Sequence, residues 1–381
     1  MSKTVAILGV TGSVGVQAQD VARARGYKVR LISANKNVSE AERAAREFLP
    51  ETVAMADEEA ARDLCTRLAD TNIKVVSGED GICCAIKEMQ CDTVVNAILG
   101  EAGLMPTLAT IESGARLALA NKESLVIAGE IVMKAARERG VEILPVDSEH
   151  SAIFQSLKSG KHEEIRRIIL TASGGPFFGK SKDELRGVTL DDTLAHPTWK
   201  MGKKITVDSA TLMNKGFEVI EAAHLFGVSS EKIEVVVHRE SILHSAVEYI
   251  DNTVIGEMSV PDMRMCVQYA VDYPNRFVGI GESLDFTKLT RMTFASPDYE
   301  AFPLLALAKR ALSDGGAMAA VLNAADEIAV GKFLDGEISF AEVSDAVMLT
   351  YEKMSDARRA KSLEEIIESD RKAREITRKY K

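Results

Sequence analysis

The chain has 381 residues, with 47 Lys and Arg against 57 Asp and Glu, 46% hydrophobic and only 5% aromatic residues. That balance excludes disordered, collagen-like and membrane-embedded classes, and the length divides into two or three domains that each bury a core. A net charge of −10 repels a phosphate backbone, so nucleic acid is excluded as a partner and any phosphate bound is small and held by a few local donors.

No apolar run reaches the roughly 18 uncharged residues that a membrane-spanning helix needs. Met1-Ser2-Lys3 leads straight into the apolar Thr4–Leu8, leaving no room for a secretion signal, so a cytoplasmic protein is expected. The 5 cysteines have neither zinc-ligand nor CxxC spacing and read as reduced thiols.

In chain order, short β-branched runs at Val5–Leu8, Val29–Ile32, Thr52–Ala54, Lys74–Ser77, Thr93–Ala97, Arg116–Ala118 and Glu142–Val146 alternate with helical patterns at Val16–Arg25, Ser39–Phe48, Glu58–Asp70 and Ser124–Arg139. This is the form of βαβ units, so residues 1–147 are expected to fold as an α/β, Rossmann-like, doubly wound parallel sheet. Residues 148–271 read as an α+β domain, with strands at Arg167–Thr171, Glu234–Val237, Ser245–Tyr249 and Val254–Met258. The last three are expected to form an antiparallel meander. Residues 272–297, with Pro274, Gly279, Gly281 and Pro297, read as a connector, and residues 298–381 as a C-terminal helical bundle domain. In that tail, Ser339 with Glu342 and Ser362 with Glu365 have capping-box spacing. Leu363, Ile366, Ile367, Ala373 and Ile376 lie on or near one face of the final helix.

Gly9-Val-Thr-Gly12-Ser-Val-Gly15 stands between a strand and a helix, where glycines let the backbone approach a diphosphate and the helix N-terminus offers unpaired N–H groups. The alternative is a tight turn that binds nothing. After the second strand, Ser33-Ala34-Asn35-Lys36-Asn37 replaces the acidic residue that holds the ribose 2′-hydroxyl of NAD. A cation there favours a 2′-phosphate, so NADPH is expected, with Lys36 as the discriminating charge and Asn37 as a neutral donor.

Val146-Asp147-Ser148-Glu149-His150 closes the last strand of the first domain, and on extended backbone Asp147 and Glu149 point to one side, half of a hard-cation site. A helix cap is the plainer reading of the same residues. Farther on, Asp208-Ser209-Ala-Thr-Leu-Met-Asn214-Lys215-Gly-Phe-Glu218 sets a third carboxylate on one helical face with Asn214, beside a hydroxyl and an ammonium able to hold phosphate. Oxygen ligands select Mg²⁺ or Mn²⁺. Ser173-Gly174-Gly175 makes a phosphate nest at a strand end, and Asn121-Lys122-Glu123 follows another strand. The loop His196–Gly202 carries the only Trp and suits a lid.

Taken together, GVTGSVG at Gly9–Gly15, ANKNV at Ala34–Val38, NKES at Asn121–Ser124, VDSEHSAIFQ at Val146–Gln155, ASGGPF at Ala172–Phe177, HPTWKMG at His196–Gly202, VDSATLMNKGFEVIEA at Val207–Ala222 and LNAADEIAV at Leu322–Val330 closely resemble the 1-deoxy-D-xylulose 5-phosphate reductoisomerase family. The resemblance runs through essentially the whole chain. It implies that Thr11, Gly12, Ser13 and Val14 cradle NADPH, with Asn35, Lys36 and Asn37 at its 2′-phosphate and Asn121, Glu123 and Gly202 nearby. Asp147, Glu149 and Glu218 would bind Mg²⁺, Mn²⁺ or Co²⁺. Ser173, Ser209, Asn214 and Lys215 would grip a small phosphorylated sugar, with Lys122, Ser148 and Glu149 near its reacting carbons and His196 in the lid. Asn35 stands where many members carry Gly.

The resemblance further implies rearrangement of the sugar skeleton to an aldehyde followed by its reduction, giving 2-C-methyl-D-erythritol 4-phosphate on the route to isoprenoids. It also implies a homodimer and fosmidomycin-type hydroxamates as ligands. The competing enzyme is an NADP-dependent dehydrogenase of the semialdehyde or homoserine type, which requires no trio of carboxylates. A cofactor sensor without chemistry is the competing non-enzyme.

Overall fold

The structure is a computed structural model that describes residues 3–199 and 201–381. Lys200 of the His196–Gly202 loop, with Met1 and Ser2 of the first domain, lies outside the described residues. Backbone contacts divide the chain into two compact units, one comprising Met1–Ser124, Ile131–Ser151 and Asp262–Ser283, the other Leu125–Glu130, Ala152–Pro261 and Leu284–Lys381.

The first unit is built on strands β1 (Thr4–Leu8), β2 (Lys28–Ala34), β3 (Thr52–Met55), β4 (Lys74–Ser77), β5 (Thr93–Asn96), β6 (Arg116–Leu119) and β7 (Ile143–Pro145), all seven of them foreseen by the β-branched runs. They form one sheet in the order β4-β3-β2-β1-β5-β6-β7, and every pairing is parallel. Central strands such as Thr93–Asn96 are buried at every position. Their apolar run is continuous rather than alternating because helices cover both faces of a parallel sheet. Those helices are α1 (Ser13–Arg25), α2 (Val38–Phe48), α3 (Glu58–Arg67), α4 (Gly78–Met89), α5 (Leu104–Ser113) and α6 (Glu123–Arg139). Asn37 and Asp57 cap α2 and α3 by accepting the N–H groups of Glu40 and Ala60. Leu8, Leu31, Ala54, Ile86 and Val94 share the core between the sheet and α4.

Strand β7 runs into α7 (Ser148–Ser156), and beyond it come the short α8 (Lys182–Leu185) and α9 (Leu190–Leu194), then α10 (Lys203–Ala210), α11 (Met213–Phe226) and α12 (Met263–Asp272). Helix α12 packs against α1 within the first unit.

The sheet of the second unit contains β8 (Ile165–Ala172), β9 (Ile233–Val237), β10 (Leu243–Tyr249) and β11 (Val254–Met258) in the order β11-β10-β8-β9. Here the expected meander is corrected: β10 and β11 are an antiparallel pair, but β9 lies parallel to β8 on its far side. The chain leaving β9 crosses the end of β8, where the His238 N–H donates to the Ala172 carbonyl at 2.7 Å. The His238 ring then accepts the N–H groups of Ile242 and Leu243, each at 3.2 Å. Four further helices complete this unit: α13 (Pro303–Asp314), α14 (Met318–Leu334), α15 (Phe340–Lys353) and α16 (Leu363–Arg378). Both foreseen capping boxes are present. The buried face of α16 is Ile366, Asp370, Ala373 and Thr377, whereas Ile367 is exposed.

Candidate active site

The candidate residues fall into two groups, one in each unit. In the first, the turn after β1 lies at the switch point of the sheet, where the strands on either side of β1 are reached by connections of opposite direction. Gly9 has φ 73°, and a Cβ there would stand 2.5 Å from the Ala97 carbonyl oxygen. One on Gly15 would stand 2.1 Å from the Gly9 oxygen. Only glycine permits this close packing of turn, helix and β5, which brings backbone to where a diphosphate would lie. Helix α1 starts at Ser13 with Gly12 as its N-cap and no acidic residue in its first turn, so Thr11, Gly12, Ser13 and Val14 surround its positive end. Ser33, which the sequence reading left without a role, accepts the Gly9 N–H at 3.1 Å through its hydroxyl.

Asn35 follows the end of β2. The Lys36 side chain is 76% exposed, and its ammonium lies 3.6 Å from an Asp57 oxygen. Asn37 uses its oxygen to cap α2, which leaves its amide nitrogen as the donor end. Asn121 is buried and busy: its amide donates to the carbonyls of Ile98 and Gly100 at 2.8 and 2.9 Å and to Glu123 at 2.9 Å. It therefore shapes the loop after β5 and fixes the start of α6.

The next residue brings the first charge pair. Lys122 Nζ lies 2.5 Å from Asp147 Oδ2, with both side chains largely buried. Burial opposes ionisation of Asp147, but the Lys122 ammonium and the neighbouring His150 and Glu149 outweigh it and hold the carboxyl well below its ordinary range. Glu149 does not stand on extended backbone: β7 ends at Pro145 and α7 begins at Ser148, with Asp147 between them. Asp147 caps this helix: Glu149 N–H faces Asp147 Oδ1 at 3.4 Å and Ser151 N–H donates to the Asp147 carbonyl at 2.8 Å. The Ser148 hydroxyl donates to Glu149 at 2.6 Å. His150 is fully buried, 3.8 Å from the other Asp147 oxygen. Its i,i+3 spacing from Asp147 is the signal that sequence reasoning passed over.

In the second unit, β8 delivers Ser173 to a loop whose Gly174 and Gly175 have φ of 78° and 63°. A Cβ on Gly175 would meet the Ser209 carbonyl at 2.7 Å, so this loop lies directly on α10. Ser173 Oγ is 3.0 Å from His196 Nε2. The other His196 nitrogen accepts the N–H groups of Thr198 and Trp199 at 3.2 and 2.9 Å. Nε2 therefore carries the hydrogen and donates to Ser173. Burial, then Arg239, pushes the His196 pKa down, so the ring is neutral. Gly202 caps α10, and its carbonyl accepts from Thr206 N at 3.1 Å.

Between α10 and α11, Leu212 takes a left-handed conformation with φ 59°. This sharp break, costly for a branched side chain, puts Ser209 at the end of one helix and Asn214, Lys215 and Glu218 on the first turns of the next. Asn214 Nδ2 donates to Glu218 Oε1 at 2.5 Å, and the Lys215 ammonium pairs with Glu218 Oε2. Glu218 is 1% exposed. Each unit thus carries a carboxylate set against a lysine, Asp147 largely buried and Glu218 fully so, and carboxylate oxygens fit a hard divalent cation.

Among the described residues, no helix is long and apolar enough to cross a membrane. Three family profiles match the chain: 1-deoxy-D-xylulose 5-phosphate reductoisomerase over residues 5–129, its C-terminal domain over 143–226, and the DXP reductoisomerase C-terminal domain over 258–376. The 1-deoxy-D-xylulose 5-phosphate reductoisomerase of Caldanaerobacter subterraneus subsp. tengcongensis is 50% identical over 99% of each chain. That of Acetivibrio thermocellus is 50% identical over 99% of this chain and 98% of its own. Among solved structures, the reductoisomerase of Zymomonas mobilis in complex with NADPH matches with TM-score 0.91 and 43% identity over 99% of this chain and 98% of its own. A DOX-P reductoisomerase in complex with NADPH, fosmidomycin and magnesium matches with TM-score 0.93 and 35% identity over 98% and 97%. On family profiles that together span most of the chain and relatives 50% identical over nearly all of it, the chain belongs to the 1-deoxy-D-xylulose 5-phosphate reductoisomerase family.

Proposed function

We propose that the chain converts 1-deoxy-D-xylulose 5-phosphate to 2-C-methyl-D-erythritol 4-phosphate on the methylerythritol phosphate route to isoprenoids, with NADPH as reductant and Mg²⁺ or Mn²⁺, or Co²⁺ in their place. Thr11, Gly12, Ser13 and Val14 take the NADPH diphosphate, Asn35, Lys36 and Asn37 its 2′-phosphate, and Asn121, Glu123 and Gly202 complete the cofactor's surroundings. Asp147, Glu149 and Glu218 would hold the metal, which when bound would supply Lewis acidity to the substrate's oxygens.

The chain's own residues do the rest. Ser173, Ser209, Asn214 and Lys215 bind the substrate phosphate, and His196 donates from Nε2 as the lid closes and excludes water. Lys122 sets a cation beside oxygens on which negative charge grows as the skeleton rearranges, and Glu149, oriented by the Ser148 hydroxyl, is placed to hold a proton there. In chain order the functional parts are 1–147 for cofactor, 148–271 for catalysis and dimerisation with the lid at 196–202, the connector 272–297, and the helical 298–381. A cytoplasmic homodimer is the assembly we propose, with fosmidomycin-type hydroxamates as ligands of the metal.

The observation that carries this reading is that the largely buried Asp147 and the buried Glu218 are each set against a lysine. NADPH absorbance tests it. After chelation, oxidation should require both 1-deoxy-D-xylulose 5-phosphate and added Mg²⁺ or Mn²⁺. Oxidation of NADPH without metal would point to a plain dehydrogenase.

A further inference from the structure

Two acidic residues in the distinctive sequence runs, Asp208 and Asp326, have no place in the chemistry above. Both side chains are nearly inaccessible, at 4% and 0% exposure, and both meet the same ammonium: Lys204 Nζ lies 2.7 Å from Asp208 Oδ2 and 2.8 Å from Asp326 Oδ2. Lys204 also stands 5.1 Å from the ring centre of Phe217, the residue before Glu218. One lysine in the first turn of α10 thus touches the last turn of its own helix, the middle of α14 and the second turn of α11.

Among the described residues, the second oxygen of each aspartate has no hydrogen-bond partner. Burial, then the Asp326 carboxylate, pushes Asp208 well above its ordinary range against the pull of Lys204. Such an arrangement is a poor source of stability, because apolar residues of similar volume commonly replace buried ion groups without loss. Apart from Asn323, helix α14 is otherwise apolar along its buried face, at Met318, Val321, Leu322, Ala325 and Ala329. What the charges supply is a fixed position. Helix α10 has 8 residues, too few to hold itself in place, and it carries the lid's end at Gly202 and Ser209 at the other end.

We propose that Lys204, with Asp208 and Asp326, is a positioning group that clamps α10 onto α14 and thereby fixes the Ser209 hydroxyl for the substrate phosphate. The inference rests on Ser209 being a phosphate ligand, and the test separates the two claims.

Steady-state kinetics and NADPH fluorescence titration on Lys204→Met, Ser209→Ala and their double variant test it. Each single change should raise the substrate KM about ten-fold, with kcat within about three-fold and the Kd for NADPH within about two-fold. The double variant should be no worse than either single one, because the lysine acts through the serine. Asp326→Leu should reproduce the KM defect, and Asp326→Asn, which keeps an oxygen for the ammonium, should restore it; this pair decides the matter if Lys204→Met does not fold. Multiplying KM effects in the double variant, or a parallel rise in the NADPH Kd, would reduce the cluster to a structural ion group and overturn the proposal. A normal KM in Ser209→Ala would remove the phosphate role of Ser209 and the proposal with it. A normal KM in Lys204→Met alone would overturn only the clamp.

Discussion

The Lys122 ammonium lies 2.5 Å from Asp147 Oδ2, at the C-terminal end of the parallel sheet and with both side chains largely buried. Removing one partner of such a pair strands the other charge in a low-dielectric place, at a cost of about 3–5 kcal/mol. Lys122→Gln should therefore lower Tm and abolish turnover together. Lys122→Arg should recover most of the stability but little of the rate, since the planar guanidinium does not reproduce a point charge. Thermal melts beside NADPH-coupled kinetics check both.

Gly9→Ala should damage cofactor binding more than Gly12→Ala. At Gly9, φ is 73° and an added Cβ would lie 2.5 Å from the Ala97 carbonyl, whereas at Gly12 the nearest atom is 3.3 Å away. We expect a loss of about 1–3 kcal/mol in stability for Gly9→Ala and a much weaker NADPH titration, with Gly12→Ala milder in both.

Lys36 offers an exposed charge with, among the described residues, one loose ion-pair partner, Asp57 at 3.6 Å. Lys36→Ala should raise the KM for NADPH about ten-fold and leave that for NADH nearly unchanged. Equal effects on the two cofactors would remove Lys36 from the 2′-phosphate.

His196 is held neutral by burial, and its Nδ1 accepts two backbone N–H groups that a second ring proton would repel. Its folded pKa lies below the unfolded value of about 6.5, so the stability it contributes is present above that pH and is lost as pH falls below it. Lid closure should follow the same direction. The substrate KM should stay flat from pH 8 to about 6.5 and rise below, and in His196→Asn that acid limb should shrink while Tm at pH 7.5 changes little.

How much of this was legible in the sequence depended on the range of the contacts. The seven strands of the first sheet were readable because each is a short local apolar run, β-branched in all but β6. The partner of β9 was not, because its parallel ladder with β8, from Ile168 opposite Ile233 to Ala172 opposite Val237, joins residues far apart in sequence. The Asn214, Lys215 and Glu218 face was visible from helical spacing alone. For Asp147 and Glu149 the expected extended backbone gave way to a helix start: the Asp-Ser-Glu after the strand opens α7, and Asp147 is its cap. Asp326 gave no local sign of its tie to Lys204, since they are 122 residues apart.

The most direct test of the account is NADPH oxidation by Glu218→Gln with 1-deoxy-D-xylulose 5-phosphate across a Mg²⁺ or Mn²⁺ titration, paired with the Kd for NADPH. The account predicts an unchanged Kd and a rate that saturating metal does not restore, because the variant lacks an anionic ligand while the cofactor turn is intact. Near-normal turnover at the parent's metal concentration would contradict it and remove Glu218 from the metal's surroundings.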